Sequence, residues 1–366
     1  MRGLPGTVRA DQGTVTVRAF HSLPVAHVDR LCDDAVAITF AVPAELGDRF
    51  AFRAGQYLTL RQDVDGREER RSYSICAPVG AAPRIGVRRV EGGLFSAHLV
   101  DSLTAGDTLE VLPPQGTFTP VVEPGSHHGF VAAGSGITPV LSIAATVLAD
   151  PTTRVTLLYG NRRSDTVMFA EDLADLKDRY PDRLQLVHVL SREPGDVELF
   201  SGRLDAARLG ELFDRVVPAR DIDHWWLCGP FGLVQDASAL LTARGVPTDR
   251  VHRELFYVDE PPPEPKRVEQ GVDGPTASVT VILDGRETTL SLPYDEPILD
   301  AAQRIRADLP FACRGGVCGT CRAKVVTGEV RMRRNYALEQ HELDAGFVLT
   351  CQGLPESDTV TVDFDA

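Results

Sequence analysis

Cys313, Cys318 and Cys321 follow one another as C-x4-C-x2-C, and a fourth cysteine, Cys351, comes after 29 intervening residues. Thiolates at this spacing hold a cluster of two irons and two sulfides, a centre that passes single electrons. Three ligands within nine residues can wrap one side of such a cluster only if the chain between them turns tightly, which Gly315, Gly316 and Gly319 permit. A zinc site is the competing reading. Zinc usually gathers its cysteines as two closely spaced pairs, unlike this three-plus-one pattern, so the spacing favours Cys313, Cys318, Cys321 and Cys351 as iron ligands.

The remainder of the chain must supply the electrons. With 366 residues it is long enough for two to three domains of about 100–200 residues each. Its 38 basic and 52 acidic side chains leave a net charge of -14, which argues against nucleic acid or an anionic membrane as a main partner. The start, MRGLPGTVRADQG, lacks a signal-like apolar stretch, and the apolar run at 140–149 is too short to span a bilayer. A cytoplasmic protein is expected. Cys32, Cys76 and Cys228 remain after the cluster is assigned, a number that suits a reducing compartment better than a disulfide framework. Cys32 is expected to be a small buried hydrophobe.

One boundary is legible in the composition. Residues 258–277, VDEPPPEPKRVEQGVDGPTA, are rich in proline, glycine and charge and have no hydrophobic period, as a linker would. Beyond it, VTVILDG and ETTLSLP read as a hairpin turning at Asp284 and Gly285, followed by a helical ILDAAQRIRA. This order fits a small α+β (β-grasp) ferredoxin domain. Between 14 and 121 lie short β-rich runs, TVTVRAF, AVAITFAV, QYLTLR, RIGVRRV and TLEVL, spaced as in an antiparallel β-barrel. From 129 to 256, the apolar strands GFVAAG, TRVTLLYG, RLQLVHVL and DHWWLCG alternate with the helical stretches PVLSIAATVLA, MFAEDLADLKDRY and GLVQDASALLTARG. That alternation predicts an α/β domain with a largely parallel sheet. The expected organisation is therefore a tail (1–19), a flavin-binding barrel (20–122), a nucleotide-binding α/β domain (123–258), a linker (259–276) and the 2Fe-2S domain (277–366).

Two motif groups carry cofactor chemistry. In the barrel, Gln56-Tyr57, Arg71-Ser72-Tyr73-Ser74, the segment Gly92, Gly93, Leu94, Phe95, Ser96, and Pro114-x-Gly116-x-Phe118 offer what a flavin needs. They supply a guanidinium for phosphate, an aromatic face, a hydroxyl and glycines that let amides approach. In the α/β part, Gly134-Ser135-Gly136-Ile137-Thr138-Pro139 joins a strand to a helix, where a phosphate-binding turn belongs. Proline suits the first helical turn. Cys228-Gly229-Pro230 ends the strand HWWLCG, at the edge where open α/β sheets bind ligands. Trp225 and Trp226 read as strand packing.

These pieces resemble the ferredoxin-NADP reductase family, in the arrangement flavin domain, nucleotide domain and C-terminal ferredoxin, over nearly all of the chain after residue 20. The resemblance implies FAD, NADPH and a 2Fe-2S cluster as cofactors. It places Arg71 on the FAD pyrophosphate, Tyr73 against the isoalloxazine and Ser74 near its N5, with Arg88 and residues 92–96 completing the phosphate side. Gly134, Gly136, Thr138 and Pro139 would hold the nicotinamide nucleotide, with Cys228 and Gly229 near the nicotinamide; Ser74 and Cys228 are thus the expected catalytic residues.

At the adenosine ribose an acid favours a free 2′-hydroxyl, whereas basic and hydroxyl groups favour a 2′-phosphate. The candidates are Ser191 and Arg192, with Asn161, Arg162 and Arg163, and the Ser-Arg pair is similar to NADP-specific reductases. YGNRRSDTVMF, LSREPGDVELFSGRLD, CRGGVCGTCRAKVVTGEV and NYALEQHELDAGFVLTCQGLP are further similar to reductase subunits of phenylacetyl-CoA 1,2-epoxidases, di-iron monooxygenases of aerobic phenylacetate degradation. The implied partner is the oxygenase component of such a multicomponent enzyme. Reductases of steroid 9α-hydroxylases or other ring-hydroxylating oxygenases are the alternative, and a flavin/iron-sulfur redox sensor is the reading from a different class. Docking of the cluster domain on its acceptor is expected to use charge, through Arg322, Lys324, Arg331, Arg333 and Arg334 or through Glu339, Glu342 and Asp344.

Overall fold

The computed structural model describes residues 19–256, 275–306 and 308–366. The N-terminal tail and most of the proline-rich segment lie outside them, as does the greater part of the expected strand TVTVRAF.

Six antiparallel strands build the first unit: β1 (His21–Cys32), β2 (Ala35–Phe40), β3 (Tyr57–Val64), β4 (Arg67–Ser74), β5 (Arg84–Arg88) and β6 (Thr108–Val111), with one helix, α1 (Leu94–Asp101). Their order is β4-β3-β6-β1-β2-β5, and a bridge between Ile75 and Ile85 joins the two outer strands, which closes the sheet into a barrel. Strand β4, REERRSYS, has little β propensity. It is a strand because Asp65 and Gly66 both take positive φ, 53° and 75°, the two-residue turn whose twist matches paired strands. That turn sets β4 against β3 over eight residue pairs, from Val64 with Arg67 to Tyr57 with Ser74. Leu23, Ile38, Leu58, Leu60, Ile85, Val87 and Leu109 are fully enclosed between the walls, each worth about 1.5–3 kcal/mol relative to exposure.

The second unit is a five-stranded parallel sheet made by β7 (His127–Ala133), β8 (Arg154–Asn161), β9 (Leu184–Leu190), β10 (His224–Cys228) and β11 (Val251–Glu254), in the order β11-β10-β7-β8-β9. Helices α2 (Ile137–Val147), α3 (Ala170–Arg179), α4 (Ala206–Arg215) and α5 (Phe231–Ala243) cover it. The apolar layers on its two faces differ in reach: one holds Ile137, Val140 and Leu173, the other Leu209, Leu212 and Val234. The first layer also takes in Ala35, Ala37 and Cys76 of the barrel, so the two units share a core. A Cβ at Gly86 would come within 2.6–2.8 Å of Thr138 and Phe169, which explains a glycine on β5 at this contact. Trp225 and Trp226 are buried, and the Trp225 indole donates to the Ala219 carbonyl.

The third unit holds β12 (Thr276–Leu283), β13 (Arg286–Pro293), α6 (Ile298–Ala302), β14 (Arg322–Thr327), β15 (Val330–Met332), α7 (Gln340–Asp344), β16 (Phe347–Leu349), β17 (Gly353–Pro355) and β18 (Thr359–Asp363). Its main sheet runs β13-β12-β18-β14-β16, with β12 and β18 parallel. Asp284 and Gly285 make the expected hairpin turn at φ 54° and 67°, and the Asp365 carboxylate accepts from both of their amides. The helix read from ILDAAQRIRA is only five residues long.

Candidate functional site

At the nucleotide end, β7 leads into residues 134–136 and then into α2. Gly134 takes φ 55°. A Cβ on Gly136 would lie 2.2 Å from the Cys228 carbonyl oxygen, so this turn rests directly on the end of β10 and tolerates only glycine. Thr138 and Pro139 are buried in the first turn of α2, with the Thr138 hydroxyl donating to the Ser135 carbonyl.

Parallel pairing of β8 with β9 puts Asn161 beside Ser191 and Arg162 beside Arg192, through the amide of Ser191 on the Asn161 carbonyl (2.9 Å) and that of Arg192 on the Arg162 carbonyl (2.8 Å). Among the described residues neither polar atom of the buried Asn161 amide has a hydrogen-bond partner. A cavity of about 340 Å³ opens next to these strand ends, lined by Asp33, Asp34, Arg162, Arg163, Thr166 and Arg192. Arg162 donates to Asp34 Oδ2 at 2.8 Å. Arg88, from the barrel, donates to Asp34 Oδ1 at 3.1 Å and to the Thr166 carbonyl, and its guanidinium stands over Gly134. The structure therefore puts Arg88 at the nucleotide turn. Cys32 also differs from its expectation: it is half-buried, and its thiol lies 3.2 Å from Asp34 Oδ1, because the β1–β2 turn faces the polar cavity. Asp34 is held below the usual carboxylate range: burial pushes it up, but the Cys32 thiol and the Arg88 and Arg162 guanidinia together outweigh it.

Where the three units meet, the parallel register of β10 and β11 sets Cys228 next to Glu254. The Ser74 hydroxyl, at the end of β4, donates to Glu254 Oε2 at 3.0 Å. Burial raises the Glu254 carboxyl to about 8, opposed only by that hydrogen bond. The Cys228 thiol is pushed up as well, by burial first and then by Glu254. Ser74 and Cys228 are thus brought together around a carboxyl that the motifs did not indicate. Its one sequence signal is an acid at the C-terminal end of the short run VHRE, the ligand-binding edge of an open α/β sheet.

In the barrel, Tyr73 packs on Phe95 with ring centroids 6.3 Å apart. Arg71 is half exposed, paired with Glu69 at 2.9 Å and donating to the Arg70 carbonyl at 2.7 Å. Gly92 takes φ 70°, and Gly93 precedes Leu94 at the start of α1 without a side-chain cap, leaving amides open to an anion. Ser96 closes this turn on itself: its hydroxyl accepts from the Val90 amide at 3.0 Å and donates to the Gly93 carbonyl at 3.3 Å. Gln56 is likewise turned to the backbone, accepting from the Arg53 amide and donating to the Gly116 carbonyl. Ser72 points away from Arg71 and Tyr73 and towards the third unit, 3.3 Å from the Thr320 hydroxyl. Gly229 and Pro230 lead from β10 into α5, where a Cβ on Gly229 would meet the Ala133 amide nitrogen at 3.2 Å.

The cysteine loop turns at Arg314, Gly316 and Gly319, with φ 52°, 81° and 68°. Gly315 is not among the left-handed residues. Arg314 is, held there by Asp300 (2.8 Å) and Gln303, and the Gly315 amide is left to donate to Cys313 Sγ at 3.3 Å. Gln352 donates to Cys351 Sγ at 3.6 Å. The thiols interact most strongly in two pairs, Cys313 with Cys318 and Cys321 with Cys351. Among the described residues, no three His, Cys, Asp or Glu side chains converge as ligands of one metal ion. Two pairs flanked by backbone and amide donors fit two irons, one pair to each, and do not fit a single tetrahedral zinc. Of the groups expected to dock an acceptor by charge, Glu342 is buried against Arg322 at 3.1 Å and Glu339 faces His252 of β11 at 3.9 Å. Glu342 is therefore spent inside the molecule, whereas Glu339 stays exposed.

Comparison with known proteins bears on this arrangement at three levels. Residues 22–119 match the oxidoreductase FAD-binding domain, 130–239 the oxidoreductase NAD-binding domain, and 281–356 the 2Fe-2S iron-sulfur cluster binding domain. The chain is 47% identical over 352 residues to a subunit of the 1,2-phenylacetyl-CoA epoxidase of Escherichia coli (strain K12), covering 95% of this chain and 98% of that one. It is 36% identical to the ferredoxin reductase component of 3-ketosteroid-9-alpha-monooxygenase from Rhodococcus rhodochrous, over 93% and 96% of the two chains. The crystal structure of phthalate dioxygenase reductase shares the fold at a TM-score of 0.58 and 23% identity, covering 94% of this chain and 98% of that one. Among the described residues no helix is long and apolar enough to cross a membrane.

Proposed function

The chain belongs to the ferredoxin-NADP reductase family in the form that carries a C-terminal 2Fe-2S domain, the group that includes its 1,2-phenylacetyl-CoA epoxidase relative, and on that ground we propose that it takes electrons from NADPH and delivers them to the oxygenase component of a multicomponent monooxygenase. Similarity favours a phenylacetyl-CoA epoxidase as the acceptor. The observation that carries the reading is the meeting of Ser74, Glu254 and Cys228 at the end of β4, the strand that also touches the cysteine loop.

Bound FAD would supply a group able to take a two-electron hydride and give up single electrons, and a 2Fe-2S cluster a one-electron carrier beyond it. The chain's own residues divide the remaining work. Arg71 and the uncapped first amides of α1, at Leu94 and Phe95, would hold the flavin pyrophosphate, with Tyr73 beside the ring. Gly134, Gly136, Thr138 and Pro139 bring backbone and helix N-terminus to the nucleotide phosphates, with Arg88 beside them. Cys228, Gly229 and Pro230 form the floor under the nicotinamide. Below about pH 8 the buried Glu254 carboxyl keeps its proton, so a neutral acid, one hydrogen bond from the Ser74 hydroxyl, is held in the protein interior as a proton store. Cys313, Cys318, Cys321 and Cys351 hold the cluster.

Preference for NADPH over NADH is supported by Arg162, Arg163 and Arg192 around one cavity next to Asn161 and Ser191, since guanidinia recognise a 2′-phosphate in a bidentate way.

The test is anaerobic titration of the holoprotein with NADPH and NADH in parallel, followed by mixing with the oxygenase components of phenylacetyl-CoA epoxidase. Flavin and cluster bands should bleach at lower NADPH than NADH, and epoxide should form; a protein indifferent to both nucleotides would end the proposal. The 36% identity to the steroid monooxygenase reductase supports a second acceptor, which would be revealed by turnover with that oxygenase alone. Ser74→Ala should slow flavin reduction while FAD stays bound.

A further inference from the structure

Strand β4 presents two chemical faces, because successive side chains of a strand point to opposite sides. Arg71 and Tyr73 share the face assigned to the flavin. Arg70, Ser72 and Ser74 share the other. Ser74 ends at Glu254, whereas Arg70 and Ser72 reach the loop that carries three of the four cysteines.

At one end of that loop, Ser72 Oγ lies 3.0 Å from Thr59 Oγ1 and 3.3 Å from Thr320 Oγ1. Thr320 Oγ1 lies 3.3 Å from the Tyr57 hydroxyl. Thr59 and Thr320 are both 1% exposed and Ser72 between them is half-buried, so the two threonine hydroxyls of this chain of four are closed to water. At the other end, the Arg70 guanidinium, 5% exposed, sits 4.3 Å from the centre of the Phe311 ring and donates to the Leu309 carbonyl at 3.5 Å. Glu68 pairs with Arg70 from the barrel side at 2.7 Å. Phe311 precedes Cys313 by two residues and Thr320 immediately precedes Cys321. Two neighbouring outward positions of one barrel strand thus grip both ends of the ligand-bearing segment.

Apolar contact alone would let the third unit slide over the barrel. Hydrogen bonds do not, because a buried hydroxyl displaced from its partner loses that bond without regaining water. Cation–π contact adds a second fixed point. A tether raises the local concentration of the cluster unit but does not orient it, and electron transfer depends steeply on separation and orientation.

We propose that Arg70 and Thr320 are positioning residues for the internal electron-transfer step: they seat the cysteine loop on β3 and β4 in the geometry from which the cluster receives electrons from the flavin. This goes beyond the assignment of cofactors to domains, since Arg70 lies outside the cofactor motifs and Thr320, between Cys318 and Cys321, is not one of the four cysteines.

The experiment uses full-length holoprotein carrying Arg70→Ala, Thr320→Val or Thr320→Ser. Stopped-flow absorbance separates flavin reduction by NADPH from the later reduction of the cluster, and small-angle X-ray scattering reports the seating of the third unit. Arg70→Ala and Thr320→Val should leave flavin reduction unchanged and slow cluster reduction about tenfold, the factor that corresponds to ~1.4 kcal/mol in the seating equilibrium, with a larger radius of gyration. Thr320→Ser, which keeps the hydroxyl, should restore both. Wild-type cluster reduction and scattering in Arg70→Ala would overturn the proposal, even if Thr320→Val were slow, since an altered cluster EPR signal in the latter would then assign Thr320 to cluster binding alone.

Discussion

The nucleotide turn and the cysteine loop are both tight, glycine-bearing segments, but they are held in opposite ways. Residues 134–136 rest on backbone of their own unit, the Cys228 carbonyl. The loop from Phe311 to Cys321 is gripped by side chains of a different unit, Arg70 and Ser72. A turn that rests on backbone is specified by glycine and so is visible in a motif; the seating of a loop on another domain's side chains is not, even where the loop's own cysteine spacing is.

The largest effect should come from the ligands themselves. Cys321→Ala should abolish the visible signature of the cluster and electron output to the oxygenase, while NADPH still reduces the flavin. Loss of flavin reduction as well would show that the two segments are not independent.

Glu254→Gln tests the junction between them. Removing an acid–base group of this kind costs about a hundredfold in rate, so flavin turnover should fall by about that factor, and the bend in its pH profile near 8 should disappear. A thermodynamic sign accompanies it. The folded carboxyl is raised to about 8 from 4.5, so the native state binds the proton more tightly than the unfolded chain does. Wild-type stability is therefore full below about pH 4.5 and declines as pH rises towards 8, a decline that the glutamine variant should lack in chemical denaturation.

Gly136→Ala breaks the nucleotide turn alone. Forcing a methyl group to within 2.2 Å of the Cys228 carbonyl oxygen costs about 2 kcal/mol, and NADPH-dependent flavin reduction should fall about thirtyfold with the cluster spectrum intact. Arg192→Ala should raise the KM for NADPH about tenfold and leave that for NADH unchanged; equal changes would remove the 2′-phosphate role. Asp34→Asn should have the smallest effect. It frees Arg162 and weakens the link between barrel and nucleotide unit, and since part-exposed ion pairs are worth about 0–1 kcal/mol, the KM for NADPH should fall about twofold.

How much of this was legible varies with the range of the forces involved. AVAITFAV, QYLTLR and four strands of the parallel sheet announce themselves by short apolar runs bounded by turn signals, and Asp284-Gly285 by turn chemistry. β1, HSLPVAHVDRLC, does not: Pro24 and scattered charges hide it, and it is a strand because β2 and β6 pair with its two halves across register shifts. Nor does β4, whose charges suit a surface loop until the Asp65-Gly66 turn lays it on β3. Helix α4 is not among the expected helices either, although its Asp205 cap, which accepts from the Arg208 amide at 3.0 Å, is written in the sequence.

The sequence by itself determined the cysteine spacing proposed to hold the cluster, the glycine turn at 134–136 and the order of the three units, because each depends on residue spacing within one segment or on local backbone geometry. Tertiary structure alone decided that Glu254 faces Ser74, that Arg88 and Arg162 share Asp34, and that Arg70 and Thr320 clasp the two units. Each of these joins residues far apart in the chain: 180 separate Ser74 from Glu254 and 248 separate Ser72 from Thr320. Burial and pairing at such separations are properties of the packed molecule, since only packing removes the water that would otherwise satisfy each group alone.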